Sequence, residues 1–245
     1  MERWKLEPAR DLGLPLKERV RCIRREPGML DGVVHLAWSS FVTIYLRGYH
    51  RLAVEGRQRL PKSGPFVIVA NHCSHLDAPT LALAVPWRLR GRAFPVAAGD
   101  TFFSTPLSGL LSAFVLNALP MWRRNAGPHA LADLRERLVC DRCILIVFPE
   151  GTRSRTGAMA AFKAGLGMLV AATDVPVVPC RLIGTHAALP PERRWPRPLK
   201  VRLRIGNPLT FAATGNDREG WQSVAKAAES AVAELGEPMD RLAPA

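Results

Sequence analysis

The chain has 245 residues, of which 48% are hydrophobic and 22% charged, and its formal net charge is +13 at pH 7. This composition is that of a globular protein with a sizeable core, and it excludes a low-complexity chain. The cationic surplus favours polyanionic partners such as nucleic acid, anionic lipid headgroups or phosphorylated substrates. An odd number of cysteines and a charged start without the apolar core of a signal peptide predict reduced thiols in a protein that is not secreted.

Residues 1–55 are predicted to form a segment of their own, a basic arm followed by one helix over residues 31–50. Within it, the apolar stretch Val33 to Leu46 is shorter than the roughly 18–20 residues that span a bilayer. A second apolar stretch, Pro106 to Trp122, ends beside Arg123. Both stretches fit either a buried core helix or an apolar surface inserted into one leaflet. Our working hypothesis is that one of them contacts membrane.

Residues 56–245 are predicted to form one α/β domain, because short apolar strands alternate with helices. We expect a mixed, mainly parallel sheet flanked by helices. The prolines in Val175–Ile183 predict an edge strand or an irregularity, and the alternation in Leu199–Ile205 predicts a half-exposed strand near the edge. The other predicted elements are strands Phe66–Ala70, Phe94–Ala98 and Cys143–Phe148, and helices Asp77–Val85, Gly127–Val139, Phe162–Ala172 and Asp217–Leu235.

The first candidate site reads Asn-His-Cys-Ser-His-Leu-Asp over residues 71–77 and directly follows a predicted strand. A strand end presents side chains into a crevice, and a tight loop can return Asp77 to His72. A neutral histidine can take a proton from a hydroxyl while a carboxylate fixes its tautomer. From spacing alone three alternatives stay open: His72 as an ordinary loop histidine, Asp77 as a helix N-cap, and a metal site made from His72, Cys73, His75 and Asp77.

The second candidate site reads Phe-Pro-Glu-Gly-Thr-Arg-Ser over residues 148–154, at the end of another predicted strand. Glycine lets the backbone approach a phosphate, and Arg153 offers a planar fork of donors. Glu150 can orient Arg153 or accept a hydrogen bond from a glycerol hydroxyl. The alternative is a loop with a purely structural Glu150–Arg153 pair. Because the chain has no GxxxxGK[ST] sequence, an ATP site is not indicated.

Together these segments resemble the glycerolipid acyltransferase family, typified by the 1-acylglycerol-3-phosphate acyltransferases. The NHxSxxD block of the family is matched in full by residues 71–77, and its FPEGTRS-like block by residues 148–154. Another block ends in an arginine; residues 120–123 resemble it, with Asn117 in place of the usual glycine. A hydrophobic-proline block is similar to residues 175–179, and the order of the blocks agrees over residues 66–180.

The resemblance implies transfer of a fatty acyl group from acyl-CoA or acyl-carrier protein to the free hydroxyl of a lysophospholipid. The expected acceptor is 1-acylglycerol 3-phosphate, which gives phosphatidic acid. No metal and no bound cofactor are implied. The implied site residues are His72 as general base, Asp77 as its partner, and Glu150, Gly151, Thr152 and Arg153 for the acceptor, with Arg123 as a helper.

The resemblance also implies a location, because the family often carries an N-terminal membrane segment. Val33 to Leu46 would be that membrane-associating helix, lying in one leaflet of an anionic membrane surface. We therefore expect a peripheral or monotopic protein on the cytoplasmic face of the cell membrane.

Two other functions stay open at this point. A histidine–aspartate pair needs only a hydroxyl, so the acceptor can be another lysolipid, such as a lyso-ornithine lipid. A basic nucleic-acid-binding module would explain the charge but not the two motifs. The chain has no helix-turn-helix, finger or RNA-binding signature, and no aromatic residues interleave with Lys200, Arg202 and Arg204. We predict no nucleic-acid partner.

Overall fold

A computed structural model describes residues 13–15, 18, 22, 29–98, 112, 117–121 and 128–236 of the chain. Within these ranges the helices are α1 (Met29–Gly48), α2 (Asp77–Ala84), α3 (Pro128–Cys140), α4 (Gly165–Val170), α5 (Thr185–Ala188) and α6 (Arg218–Glu234). The strands are β1 (Ala53–Glu55), β2 (Phe66–Ala70), β3 (Ala93–Ala98), β4 (Leu119–Met121), β5 (Ile144–Val147), β6 (Val177–Ile183) and β7 (Arg202–Ile205). Short 3₁₀ turns span Arg57–Arg59 and Trp87–Arg92.

The described strands form one sheet in the order β1-β7-β6-β2-β5-β3-β4. Neighbouring strands are parallel throughout, except that β6 and β7 pair antiparallel. The predicted α/β class, with a mixed and mainly parallel sheet flanked by helices, is therefore confirmed. Because β1 pairs with β7, residues 53–55 belong to this sheet, although the predicted division of the chain assigned them to the N-terminal segment.

The central strands β2 and β5 are buried between helical layers, which explains their uninterrupted apolar sequences. Side chains alternate between the two faces of a strand. Val67 and Val69 therefore pack in one core cluster with Leu134, Leu138 and Val224, which come from α3 and α6. Phe66 and Ile68 pack on the opposite face, in a second cluster with Leu81 of α2. Helices thus pack on both faces of the sheet, and this packing fixes the positions of the strand ends.

Two predicted elements differ from the structure. The predicted helix Phe162–Ala172 begins only at Gly165, because the Phe162 amide donates to the Glu229 carboxylate and the Lys163 amide to the Pro149 carbonyl. The strand predicted over Val175–Ile183 is interior rather than an edge, since β6 lies between β2 and β7. The predicted irregularity is present: Pro179, which has no amide N–H, faces the gap where the ladder with β7 breaks between Ile205 and Leu209.

Helix α1 packs on α2 through Val42 and Leu46 and leaves Leu36, Phe41 and Ile44 largely exposed. Within the part of the chain that the structure describes, every helix falls short of the length and apolarity needed to cross a membrane. Most of the predicted basic arm lies outside the described residues, as does most of the second apolar stretch over residues 106–122.

Candidate active site

The two sequence motifs meet at one edge of the sheet. Strand β2 leads into residues 71–77 and its parallel neighbour β5 leads into residues 148–154, so both motifs leave the sheet at the carboxyl ends of adjacent strands. The side chain of Asn71 extends the sheet, because its amide exchanges two hydrogen bonds with the backbone of Leu182, at 2.8 and 3.1 Å. The next residue, His72, therefore starts from a fixed backbone position.

His72 and Asp77 form the predicted pair. The imidazole Nδ1 of His72 lies 2.9 Å from Oδ2 of Asp77, whose side chain is fully buried. The same carboxylate oxygen accepts hydrogen bonds from the amides of Cys73 and Ser74, both at 2.7 Å. A carboxylate that accepts from Nδ1–H leaves Nε2 of His72 without a proton, as a general base requires.

The alternative that Asp77 is an N-cap is wrong. Asp77 is the first residue of α2, and Leu76 occupies the cap position without a side-chain hydrogen bond. An N-cap carboxylate accepts from amides that follow it in the helix. The Asp77 carboxylate instead accepts from Cys73 and Ser74, which precede it, and it thereby closes the loop that carries His72.

Glu150 joins the two motifs. It is buried, and its Oε1 accepts a hydrogen bond from the His72 amide at 2.7 Å while its Oε2 accepts from the Ala160 amide at 3.0 Å. Burial raises the pKa of the Glu150 carboxyl, and the two amide hydrogen bonds partly offset that rise. The structural Glu150–Arg153 pair considered from the sequence is replaced by these backbone contacts; the predicted role of Glu150 in acceptor binding stays a prediction.

Further contacts hold the ring and the backbone of His72. Phe148, the first residue of the second motif, stacks on the imidazole with ring centroids 3.9 Å apart and planes 17° apart. The amide of Ser154 donates to the carbonyl oxygen of His72 at 2.8 Å. The sequence contained Phe148 and Ser154 within a matched motif, but spacing alone gave no sign that either contacts His72.

Arg153 turns toward the first motif. Its Nη1 lies 2.7 Å from Nδ1 of His75. Burial lowers the pKa of His75, and the charge of Arg153 lowers it further, so a neutral imidazole is favoured beside the guanidinium. His75, considered from the sequence as a metal ligand, is instead the partner of the predicted phosphate-binding arginine.

A cleft of about 370 Å³ opens where these residues meet. The apolar part of its wall comes from α2, β3 and β4 and includes Pro79, Val96 and Met121. The polar part consists of residues from both motifs and of Arg155, which follows the second motif: His72, Ser74, His75, Gly151, Thr152, Arg153 and Arg155. The cleft therefore joins an apolar wall to a cationic wall, with His72 on its surface.

Gly151 is required by the turn that begins the cationic wall. Its φ is 78°, in the left-handed region that favours glycine, and its amide donates to the Phe148 carbonyl at 3.0 Å. A Cβ at this position would lie 2.7 Å from Nζ of Lys163. The turn thus depends on glycine for its backbone conformation, whereas the flexible end of Lys163 can move away from an added Cβ.

The block that ends in Arg123 lies at the limit of the described residues. Arg123 itself lies outside them, so its role as a helper in acceptor binding stays a prediction. Asn117, which stands where the family has glycine, has a φ of 52°. Asparagine adopts this left-handed conformation more readily than most residues, which accounts for the replacement of glycine at this position.

The metal alternative gains no support from the geometry. Across the described ranges, no group of three or more histidine, cysteine, aspartate or glutamate side chains is placed to hold an ion. The candidate ligands turn to different partners: Sγ of Cys73 lies 3.4 Å from Oγ1 of Thr185, whereas His75 contacts Arg153.

Comparison with known proteins identifies relatives of this chain. The sequence model of the family described as Acyltransferase matches residues 51–183. The chain is 32% identical over 157 residues to the chloroplastic 1-acyl-sn-glycerol-3-phosphate acyltransferase LPAT1 of Arabidopsis thaliana, a match that covers 62% of this chain and 41% of that protein. It is 31% identical over 137 residues to the human 1-acyl-sn-glycerol-3-phosphate acyltransferase alpha, covering 55% of this chain and 46% of that protein.

A solved structure shares the fold. The crystal structure of the 1-acyl-sn-glycerophosphate acyltransferase PlsC from Thermotoga maritima superimposes with a TM-score of 0.63 at 24% sequence identity, covering 94% of this chain and 97% of that chain. The matched segments of the plant and human relatives are less than half of those proteins' lengths.

We expect Glu150→Ala to destabilise the site, because it leaves the partly buried amide of His72 without its acceptor, whereas the amide of Ala160, an exposed residue, can bind water instead. An unsatisfied buried donor costs about 1–3 kcal/mol, so the free energy of unfolding should fall by about 1–3 kcal/mol in urea titrations followed by circular dichroism. Glu192→Ala is the control: its exposed carboxylate lies 4.0 Å from Nε of Arg155, and such surface pairs contribute about 0–1 kcal/mol. Equal losses in the two variants would contradict the joining role of Glu150.

Proposed function

Because this chain belongs to the Acyltransferase family, we propose that it transfers a fatty acyl group from a thioester to the free hydroxyl of a lysophospholipid. We propose 1-acylglycerol 3-phosphate as the acceptor and phosphatidic acid as the product. One observation carries the proposal: His72, whose Nδ1 lies 2.9 Å from Oδ2 of the buried Asp77, lines the same cleft as Arg153 and Arg155. A proton acceptor and a binding surface for an anion thus share one cavity.

In the proposed reaction, Nε2 of His72 takes the proton from the acceptor hydroxyl as the oxygen attacks the thioester carbonyl. The carbon–oxygen bond forms, the tetrahedral intermediate collapses, and the carbon–sulfur bond breaks. The imidazolium then returns its proton to the leaving thiolate. Asp77 stabilises the transient imidazolium through Nδ1–H, and the amides of Cys73 and Ser74 keep its carboxylate in place.

The cationic wall is the proposed phosphate site. Arg153 and Arg155 supply guanidinium donors, Thr152 supplies a hydroxyl, and the Gly151 turn brings the backbone close to the cleft. These groups line the same cleft as His72, so an acceptor with its hydroxyl and phosphate on neighbouring glycerol carbons can contact both. The proposed reaction uses no metal and no bound cofactor.

We propose acyl-CoA or acyl-carrier protein as the donor and a membrane as the source of the acceptor. The exposed apolar side chains of α1, including Leu36, Phe41 and Ile44, support binding to one leaflet. Helix α1 also adjoins the cleft, because Ala78, Pro79 and Pro95 line both the cleft and a smaller cavity that α1 helps to form with Trp38 and Val42. We propose peripheral or monotopic association with the cytoplasmic face of the cell membrane.

The first test replaces the proposed base. His72→Ala should lower kcat for acyl transfer by roughly 10²–10⁴-fold while thermal unfolding stays close to that of the unchanged protein. His186→Ala is a matched control, since its imidazole Nε2 lies 2.9 Å from the carbonyl oxygen of Arg155 and has no part in the proposed proton transfer. Transfer at the normal rate by the folded His72→Ala variant would refute the mechanism.

A second test concerns the acceptor. Arg153→Ala should raise KM for 1-acylglycerol 3-phosphate by roughly 10–100-fold, because a charged hydrogen bond contributes about 1.5–3 kcal/mol. KM for the donor should be unchanged. Arg142→Ala, which removes an exposed arginine bonded to the Gly64 carbonyl, should change neither. If only donor affinity changed, or if a lyso-ornithine lipid were used better than the phosphate acceptor, the proposed acceptor would be wrong.

A third test concerns the membrane. The double replacement Phe41→Ser and Ile44→Ser should lower binding to sedimenting anionic vesicles by at least about tenfold, because it removes apolar side chains of about 1.5–3 kcal/mol each when buried. Val139→Ser removes an exposed apolar side chain from α3 and should leave binding unchanged. Equal binding of the double variant and the unchanged protein would exclude α1 as the membrane contact.

A further inference from the structure

The loop between α5 and β7 carries an unusual exposed surface. Trp195 is 79% exposed there, and four exposed cations flank it in the sequence of the loop: Arg193, Arg194, Arg197 and Lys200. Glu192 is the only carboxylate in residues 190–200. A large exposed aromatic ring on a loop with several exposed cations matches the interface of an anionic bilayer, where the ring lies among the headgroups and the cations contact phosphates. We call residues 190–200 the tryptophan loop.

The tryptophan loop is fixed to the C-terminal end of α1. The hydroxyl of Tyr49 donates to the Pro196 carbonyl at 3.1 Å, and Nη2 of Arg51 donates to the Pro198 carbonyl at 3.0 Å. The buried ring of His50 adds a contact of 3.1 Å from its Nδ1 to the Leu199 carbonyl. Four prolines in the loop restrict its backbone further. Trp195 is therefore held in a defined position relative to α1.

A row of aromatic rings joins the two surfaces. Along α1 and the residue that follows it, Trp38 contacts Phe41, Phe41 stacks with Tyr45, and Tyr45 stacks with Tyr49, with centroid separations of 5.5, 6.3 and 5.4 Å. The row ends at Tyr49, whose hydroxyl binds the tryptophan loop. The apolar side chains of α1 and the tryptophan loop are thus parts of one connected surface.

The other end of the tryptophan loop reaches the cleft. The Leu189 carbonyl, just before the loop, accepts a hydrogen bond from Oγ of Ser74 at 2.6 Å, and Pro191 lines the cleft itself. Glu192 lies 4.0 Å from Arg155 on the cationic wall. The loop therefore forms one lip of the cleft that contains His72.

We propose that the tryptophan loop is a second membrane contact, which binds anionic lipid headgroups and holds the lip of the cleft against the bilayer. This inference rests on the proposed function in taking a lipid surface as the partner. With α1 as the first contact and the loop as the second, the protein is fixed in orientation as well as attached. The cleft then faces the surface from which a lysolipid arrives.

An acidic carrier protein would also be attracted to these cations, but the observations favour lipid. A protein partner would leave unexplained the continuity between Trp195 and the aromatic row of α1. Interfacial aromatic rings backed by cations are typical of surfaces that enter a headgroup layer. Carrier-protein docking is therefore the competing outcome of the test.

The test measures binding of the full chain to vesicles of phosphatidylcholine, with and without phosphatidylglycerol. Trp195→Ala should lower binding to both vesicle types by about tenfold, and Trp195→Phe should restore most of it. Arg194→Gln with Arg197→Gln should lower binding only to the anionic vesicles, by roughly 30-fold, since each cation near such a surface is worth about 1 kcal/mol. Lys62→Gln with Lys226→Gln removes the same charge from exposed positions elsewhere and should have little effect.

Activity separates this proposal from the proposed function. With short-chain acceptor dissolved in detergent, Trp195→Ala and the double arginine variant should transfer acyl groups at the normal rate, whereas transfer to acceptor presented in vesicles should fall with binding. Unchanged vesicle binding in both variants would overturn the proposal. A loss of transfer that occurs in detergent, and only with acyl-carrier-protein donors, would also overturn it, because it would assign the loop to that partner. Absence of transfer by the unchanged protein under every condition would instead refute the proposed function and leave the binding result standing.

Discussion

The parallel pairing of β2 with β5 is the constraint on which the site depends. Parallel strands end at the same edge of a sheet, so residues 71–77 and residues 148–154 leave the sheet side by side although 78 residues separate His72 from Glu150. Both strands are apolar on both faces and are buried between helical layers, which holds the pairing rigidly. A histidine and an arginine from distant parts of the chain thereby line a single cleft.

Two buried carboxylates fix the positions of the residues that the strand pairing brings together. Asp77 accepts from the His72 ring and from two amides of its own loop, which fixes the imidazole and its tautomer. Glu150, from the second motif, accepts from the His72 amide of the first motif and from the Ala160 amide beyond the second, which holds the two loops together. Burying a carboxylate is unfavourable unless it accepts hydrogen bonds, and here backbone N–H groups donate to Oδ2 of Asp77 and to both carboxylate oxygens of Glu150. The guanidinium of Arg153 consequently lies toward His75 and the cleft.

The periphery of the cleft is organised for an amphipathic substrate under the proposed function. Its apolar wall approaches α1, whose exposed side chains and aromatic row extend toward the tryptophan loop. Its cationic wall includes Arg153 and Arg155, and Arg155 lies near Glu192 in the N-terminal part of that loop. The cations Arg153 and Arg155 and the apolar stretch Val33 to Leu46, which are far apart in the sequence, thus belong to adjacent surfaces beside one cavity.

The sequence by itself determined the α/β class, most of the strands and helices, and the two motifs, because apolar periodicity and motif spacing are local properties. It did not determine that β6 lies inside the sheet despite Pro179, that Asp77 closes its own loop rather than capping α2, or that Glu150 binds the His72 amide. The contact of the tryptophan loop with Tyr49 and Arg51 could not be predicted from the sequence either. These features are contacts between segments far apart in the chain, and only the order of strands in the sheet and the packing of helices on it decide which segments meet.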